Sequence, residues 1–234
     1  MVRTEALQAI ESLIKTLLVA KKRGKSLHGA VFGPWGAGKT NAVRSLTGRY
    51  PVFYLKAPRG SLTPTRLLRL IGLSLGAGAA GTYDYTLDLI KGHLQQENAS
   101  PLILIDEAQR IFSKPALLDE LKDFSEDPDL GFSYLFIGDM KLKEYLARKQ
   151  HHSIIKRILY KTELKGEVGE ATISELLKEY NLKGDPKEVV KLLKKRKWKI
   201  LELDNVLYLL QLRGLTEASE ENIEKVLRVT EVVV

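Results

Sequence analysis

The sequence predicts an α/β protein built on a parallel sheet, and three observations carry that expectation. Short apolar runs recur at residues 27–32, 52–55, 102–105, 134–137 and around 158–164. Longer stretches with helical spacing separate them, and strands that alternate with helices imply a parallel sheet covered on both faces. The run Leu102-Ile103-Leu104-Ile105 is apolar without alternation, as a strand buried on both sides requires.

Taken in order, Leu7, Ile10, Leu13, Ile14, Leu17 and Leu18 repeat at helical spacing after Thr4, a residue suited to capping. This first helix ends at Lys21-Lys22-Arg23-Gly24. The run at 27–32 then enters a Gly-rich turn, and a helix from Thr40 to about Leu46 follows, giving strand, loop, helix. Beyond Gly166 the pattern changes: residues 172–180, 185–196, 198–212 and 218–229 all read as helices, with no convincing strand between them. The expected organisation is an amino-terminal helix over 1–24, a sheet-based core over 25–165 and a small all-helical domain over 166–234, joined near residues 166–170. No internal repeat or low-complexity tract interrupts it.

Composition narrows the chemistry. Of 234 residues, 44% are hydrophobic and 28% charged, ordinary values for a folded globular chain. Cysteine is absent and histidine numbers only 4, which excludes disulfide scaffolds, Cys-based zinc sites and thiol nucleophiles. Any metal chemistry falls to carboxylates and hydroxyls. The formal net charge of +8 favours a polyanionic partner. No apolar run approaches the roughly 18 residues of a membrane span, and no signal peptide is evident. The expectation is a soluble, cytoplasmic protein with no membrane partner.

The strongest motif is GPWGAGKT, which satisfies G-x-x-x-x-G-K-[ST] between a strand-like run and a helix. In such a turn, backbone N–H groups and the helix amino terminus converge on phosphate oxygens, where side chains at the glycine positions would obstruct the approach. The residues expected to line a triphosphate are Gly33, Pro34, Gly36, Ala37, Gly38, Lys39, Thr40 and Asn41. Lys39 would neutralise phosphate charge and Thr40 would bind Mg²⁺. The second motif, PLILIDEAQ at 101–109, is an apolar strand that delivers adjacent carboxylates to its carboxyl end, the edge at which open α/β sheets bind ligands. Asp106 is the second candidate for Mg²⁺, and Glu107 the candidate to polarise an attacking water.

A further strand-like run ends in Gly138-Asp139, where Asp139 either positions a water or caps the helix that follows. Arg157 precedes the last run, placed to reach a phosphate held by a neighbouring subunit or simply solvated. The stretch 187–199 holds Lys187, Lys191, Lys194, Lys195, Arg196, Lys197 and Lys199 against Glu188 alone. It is either a phosphodiester grip or a solvated helix face. Lys56, Arg59 and Arg66 follow the second run, and Tyr83 and Tyr85 lie in a Gly-rich connection, groups that suit sequence-tolerant nucleic-acid contact and are equally at home on ordinary loops. Motifs for serine hydrolases, zinc proteases and dinucleotide-binding folds are missing.

Together GPWGAGKT, LILIDEAQ, YLFIGD, the arginine in IIKRI and the terminal helices resemble an AAA+ ATPase. More narrowly they are similar to the MuB/TnsC group of transposition ATPases, through DEAQRI and IGDMKL. The resemblance spans roughly residues 25–230 and implies a P-loop AAA+ five-stranded parallel sheet flanked by helices, with an all-helical carboxyl-terminal lid. It makes Lys39 and Thr40 the Walker A pair, Asp106 and Glu107 the Walker B pair, and Arg157 an arginine finger supplied in trans. The sensor after the fourth strand is usually neutral and polar, but here it is Asp139, an anion that would repel the γ-phosphate. The lid's sensor arginine falls nearest Lys199, with Arg196 its competitor, and lysine cannot reproduce a guanidinium fork. DNA-facing loops would hold Lys56, Arg59, Thr82 and Tyr83.

The resemblance thus implies ATP and Mg²⁺ as cofactors, double-stranded DNA as ligand, a homo-oligomeric ring or helical filament, and a transposase or other DNA-processing partner. With only one helix ahead of Gly33, DNA contact is expected of the ATPase core itself. The rival readings are a replication initiator or helicase-loader ATPase, and a nucleotide-dependent switch that binds protein partners and no DNA.

Overall fold

The computed structural model describes residues 4–97, 100–148, 152–166 and 168–230. The chain forms two compact units. The sheet unit comprises Ala9–Gly33 and Lys39–Glu163; the helical unit comprises Met1–Gln8, Pro34–Gly38 and Leu164–Val234.

Helix α1 (Glu5–Lys22) begins where the Thr4 hydroxyl accepts from the Leu7 amide at 3.1 Å. Its leucines and isoleucines at 7, 10, 13, 14 and 17 are buried, the apolar stripe that helical spacing produces. The sheet unit continues with β1 (His28–Phe32), α2 (Lys39–Thr47), β2 (Val52–Lys56), α3 (Pro64–Leu75), α4 (Tyr83–Glu97) and β3 (Leu102–Asp106). After these come α5 (Gln109–Phe112), α6 (Pro115–Glu126), β4 (Ser133–Gly138), α7 (Met140–Arg148), α8 (Ser153–Lys156) and β5 (Ile158–Glu163). Local chemistry sets the ends. Thr63 caps α3 by accepting from the Arg66 amide, Pro64 starts the helix, and Gly76 closes it in the left-handed conformation.

The strands form one five-stranded sheet in the order β2-β3-β4-β1-β5, and every pairing is parallel. All positions of β1, β3 and β4 are buried, whereas the edge strands β2 and β5 are partly exposed. Continuous apolar runs mark central strands for this reason: helices cover both faces, so each residue is withdrawn from water. Full burial of an Ile, Leu or Phe side chain contributes about 1.5–3 kcal/mol. The rings of Phe112 and Phe136 meet edge-to-face at 4.9 Å in this core.

Two basic groups lie beside this core, His28 fully buried and Lys21 half-buried. His28 is fully buried in β1, where its Nδ1 accepts from the Tyr134 amide at 3.2 Å. Burial, reinforced by the charges of Arg157 and Lys21, drives its pKa down to about 3, so the imidazole stays neutral. The Lys21 ammonium donates to the Gly131 carbonyl at 2.8 Å, and burial lowers its pKa to about 8.

The helical unit holds α9 (Glu170–Glu179), α10 (Pro186–Arg196), α11 (Ile200–Leu212) and α12 (Glu220–Thr230). Ile173, Leu176, Leu193, Leu207, Ile223 and Val226 share its apolar core. Asp185 caps α10 by accepting from the Lys187 amide, Pro186 opens it, and Lys197 ends it at φ 54°. The sequence shows no strand here; the structure adds a single parallel bridge between Lys183 and Glu217, in which the Lys183 amide donates to Thr216 and the Ala218 amide to Lys183, both at 2.8 Å.

Candidate active site

Strand β1 leads into the Gly-rich turn, and the Gly33 amide donates to the Gly138 carbonyl of β4 at 3.3 Å. The chain then passes Gly36 at φ 80° and Gly38 at φ 77°, backbone that costs a side-chain-bearing residue energy. Helix α2 starts at Lys39, whose ammonium donates to the Gly33 carbonyl at 2.8 Å. Burial pushes this ammonium below the ordinary lysine range, opposed by the carboxylates of Asp106, Asp139 and Glu107. Asn41 is exposed in the first turn of α2.

The end of β3 supplies the acidic half. Asp106 is only 2% exposed. Its Oδ2 accepts from the hydroxyls of Thr40 at 2.9 Å and Tyr54 at 3.2 Å, and its Oδ1 accepts from the Glu107 amide at 2.9 Å. One residue on, Glu107 adopts φ 59°, a left-handed conformation rare outside glycine. Its Oε2 accepts from Arg110 Nη2 at 2.8 Å and from Gln109 Nε2 at 3.0 Å. Arg110 also donates through Nη1 to the Ala57 carbonyl at 2.6 Å, and Gln109 Oε1 accepts from the Asp139 amide at 3.4 Å. The motifs alone assign no role to Tyr54, Gln109 or Arg110. For Arg110, position +3 after Glu107 is the available signal, since side chains three apart can meet across a turn; Gln109, at +2, carries no such signal.

Other candidates have partners of their own. Asp139 Oδ1 accepts from the Lys141 amide at 2.9 Å, a capping bond for α7. Arg157, at the end of α8, pairs with Glu126 of its own chain at 2.5 Å. In the helical unit, a Cβ built on Gly36 would lie 3.0 Å from Lys199 Cβ, so this glycine leaves room for the lysine stem. Arg196 pairs with Glu224 and stacks 5.2 Å from the Trp198 ring centre, leaving Lys199 as the basic residue beside the turn. Lys56, the last residue of β2, and Arg59, in the loop that follows, are exposed. Thr82 is exposed and accepts from the Tyr85 amide at 3.3 Å, while the Tyr83 hydroxyl donates to Glu120. Both tyrosines, expected in a Gly-rich connection, instead open α4, where Thr82 precedes the first turn, and Tyr85, 54% exposed, is the one presented to solvent.

The residues fit a magnesium nucleotide. Left-handed glycines leave the turn without side chains where phosphates need access. A hydroxyl and a carboxylate, hard oxygen donors that suit Mg²⁺, already lie within hydrogen-bond distance of each other. Two protein oxygens are few for an octahedral ion, which suits one that arrives with phosphate oxygens and water.

A family model described as an AAA domain matches residues 22–146, more than half of the chain and inclusive of both motifs. The chain belongs to the AAA domain family. This AAA protein is similar in fold to the ORC2 protein of Aeropyrum pernix in its ADPNP-ADP complexes, with a TM-score of 0.67 and 17% identity over 92% of this chain and 66% of that one. It is similar to the Aeropyrum pernix ORC1 protein in complex with DNA, with a TM-score of 0.63 and 16% identity over 98% of this chain and 66% of the other. The Walker-type ATPase PABY2304 of Pyrococcus abyssi gives a TM-score of 0.62 and 14% identity over 98% and 72% of the two chains. The AAA protein thus spans about two thirds of the length of the Aeropyrum proteins, 66% of each. No curated protein sequence matches it significantly. Among the described residues, no helix is long and apolar enough to cross a membrane.

Proposed function

We propose that this AAA protein is a Mg²⁺-dependent ATPase that assembles on double-stranded DNA. The observation that carries the reading is the 2.9 Å contact between Thr40 and the buried Asp106, which unites the two halves of a magnesium site at the mouth of a glycine turn. When bound, Mg²⁺ supplies charge neutralisation and polarisation at the phosphate oxygens. Gly33 and Pro34 shape the turn, backbone amides from Gly36 to Asn41 hold the triphosphate, Lys39 balances its charge, and Thr40 and Asp106 hold the metal. Glu107 accepts the proton of the water that attacks the γ-phosphate. Arg157 serves a neighbouring subunit's site and Lys199 contacts the nucleotide from the lid. Asp139, an anion where a neutral side chain is expected, slows hydrolysis or alters the sensing role.

The +8 charge and the exposed Lys56 and Arg59 support DNA as the ligand. On the resemblance to the MuB/TnsC group, the assembly works in the cytoplasm in transposition target selection, with a transposase as partner. A second reading, a replication initiator or helicase loader, is favoured by the likeness to the ORC proteins, one of them in complex with DNA. The two readings share one core activity and diverge in partner, so co-purification separates them. ATPase rates measured with and without duplex DNA, over a series of protein concentrations, test the core. A rate that rises with both is expected; a rate indifferent to both would sink the assembly model.

A further inference from the structure

We infer that Gln109 and Arg110 are positioning residues that aim the Glu107 carboxylate. The inference deepens the reading of Glu107 as the general base and rests on it. Backbone in the left-handed region strains a residue such as Glu107 and persists only where its surroundings hold it. The hold is visible in the two donors to Oε2, Arg110 at 2.8 Å and Gln109 at 3.0 Å.

Each donor is itself anchored on a different neighbour of β3. Arg110 reaches the Ala57 carbonyl just past β2 at 2.6 Å. Gln109 takes the Asp139 amide just past β4 at 3.4 Å. Because β3 lies between β2 and β4, the carboxylate is referenced to three adjacent strand ends.

The amide orientation of Gln109 follows from chemistry alone. An ionised carboxylate only accepts and a backbone N–H only donates, so the NH₂ group must face Glu107 and the oxygen Asp139. Room for it depends on Gly138, where a Cβ would stand 2.6 Å from Gln109 Oε1. An ordinary exposed ion pair would contribute little to holding a carboxylate in place. This pair is mostly buried, with 25% and 30% of the Arg110 and Glu107 side chains exposed.

The test combines steady-state ATPase kinetics with equilibrium nucleotide binding on the full chain. Gln109→Ala, Gln109→Glu and Arg110→Ala are made singly and in a Glu107→Gln background. Each single variant is expected to lose about tenfold or more in kcat while KM and nucleotide affinity stay within about twofold, the pattern of an interaction needed only in the transition state. Gln109→Glu, equal in size but anionic beside Glu107, falls as far as the alanine. In the Glu107→Gln background none of the three lowers kcat further, because the group they position is gone. Losses that multiply with Glu107→Gln, or a raised KM with kcat intact, overturn the inference. Should Glu107→Gln turn over ATP like the unaltered protein, the base assignment fails and the inference with it. Should Glu107→Gln lose turnover while the Gln109 and Arg110 variants keep theirs, the inference alone fails.

Discussion

Lys56, the last residue of β2, stands in register with Asp106, the last residue of β3, and the Ala57 amide extends that ladder to the Asp106 carbonyl at 2.9 Å. The loop offered for DNA contact therefore leaves the sheet at the same edge as the buried carboxylate.

Removing either side of the magnesium pair is expected to separate metal dependence from phosphate binding. In Thr40→Ala and Asp106→Asn, ATP affinity measured by calorimetry loses its gain on adding Mg²⁺, while Lys39→Ala loses nucleotide binding in both conditions. Equal Mg²⁺ gains in the unaltered protein and the first two variants would remove both residues from the metal site.

Lys21 predicts an alkaline rise in stability. Its folded pKa of about 8 lies below the ordinary 10.5, so between these values the unfolded chain binds more protons than the folded one. Unfolding free energy then increases with pH across that window, by roughly 3 kcal/mol at most, from 1.36 kcal/mol per pKa unit. Denaturant titrations should show the slope in the unaltered protein and its loss in Lys21→Met; parallel curves would refute it.

Charge reversal separates DNA retention from nucleotide binding. Lys195 and Arg196 are paired with Glu220 and Glu224, so the informative changes are Arg59→Glu, Lys194→Glu and Lys197→Glu at exposed positions. Wherever one of these side chains neutralises a DNA phosphate, its reversal should reduce the salt dependence of duplex binding by about 0.9 in the log–log slope, with ATP affinity retained. Unchanged slopes in all three would remove these residues from the phosphate contacts, and a protein that binds no duplex at any salt would favour the switch that binds protein partners and no DNA.

Arg157 is tested by mixing. Arg157→Ala is expected to lower turnover by about 10³-fold or more, as is Glu107→Gln through loss of its base, and a mixture of the two proteins should recover activity that neither has alone. That recovery requires the arginine of one subunit to serve the glutamate of another, at the expense of its pairing with Glu126. A mixture no better than its components would confine Arg157 to its own chain.

Much of the fold was legible because burial on both sheet faces writes itself as uninterrupted apolar runs, as in 102–105 and 134–137. A helix start was legible at Asp185-Pro186, where cap and proline adjoin, whereas the same pairing at Thr63-Pro64 emerges from the structure. The candidate site was legible only as two separate motifs. That Thr40 touches Asp106, 66 positions away, is a property of strand order, which neither motif states. Ion pairs such as Arg157 with Glu126 and hydrogen bonds such as Tyr83 with Glu120 join surfaces of different helices and strands, and no periodicity announces them. The left-handed backbone at Glu107 was equally hidden, since a glutamate carries no signature of it in sequence.

Three donors already surround the Asp106 carboxylate: two hydroxyls and an amide. These bonds fix the carboxylate at the end of β3. Even without a nucleotide in the proposed site, they tie α2 through Thr40 and β2 through Tyr54 to that strand end.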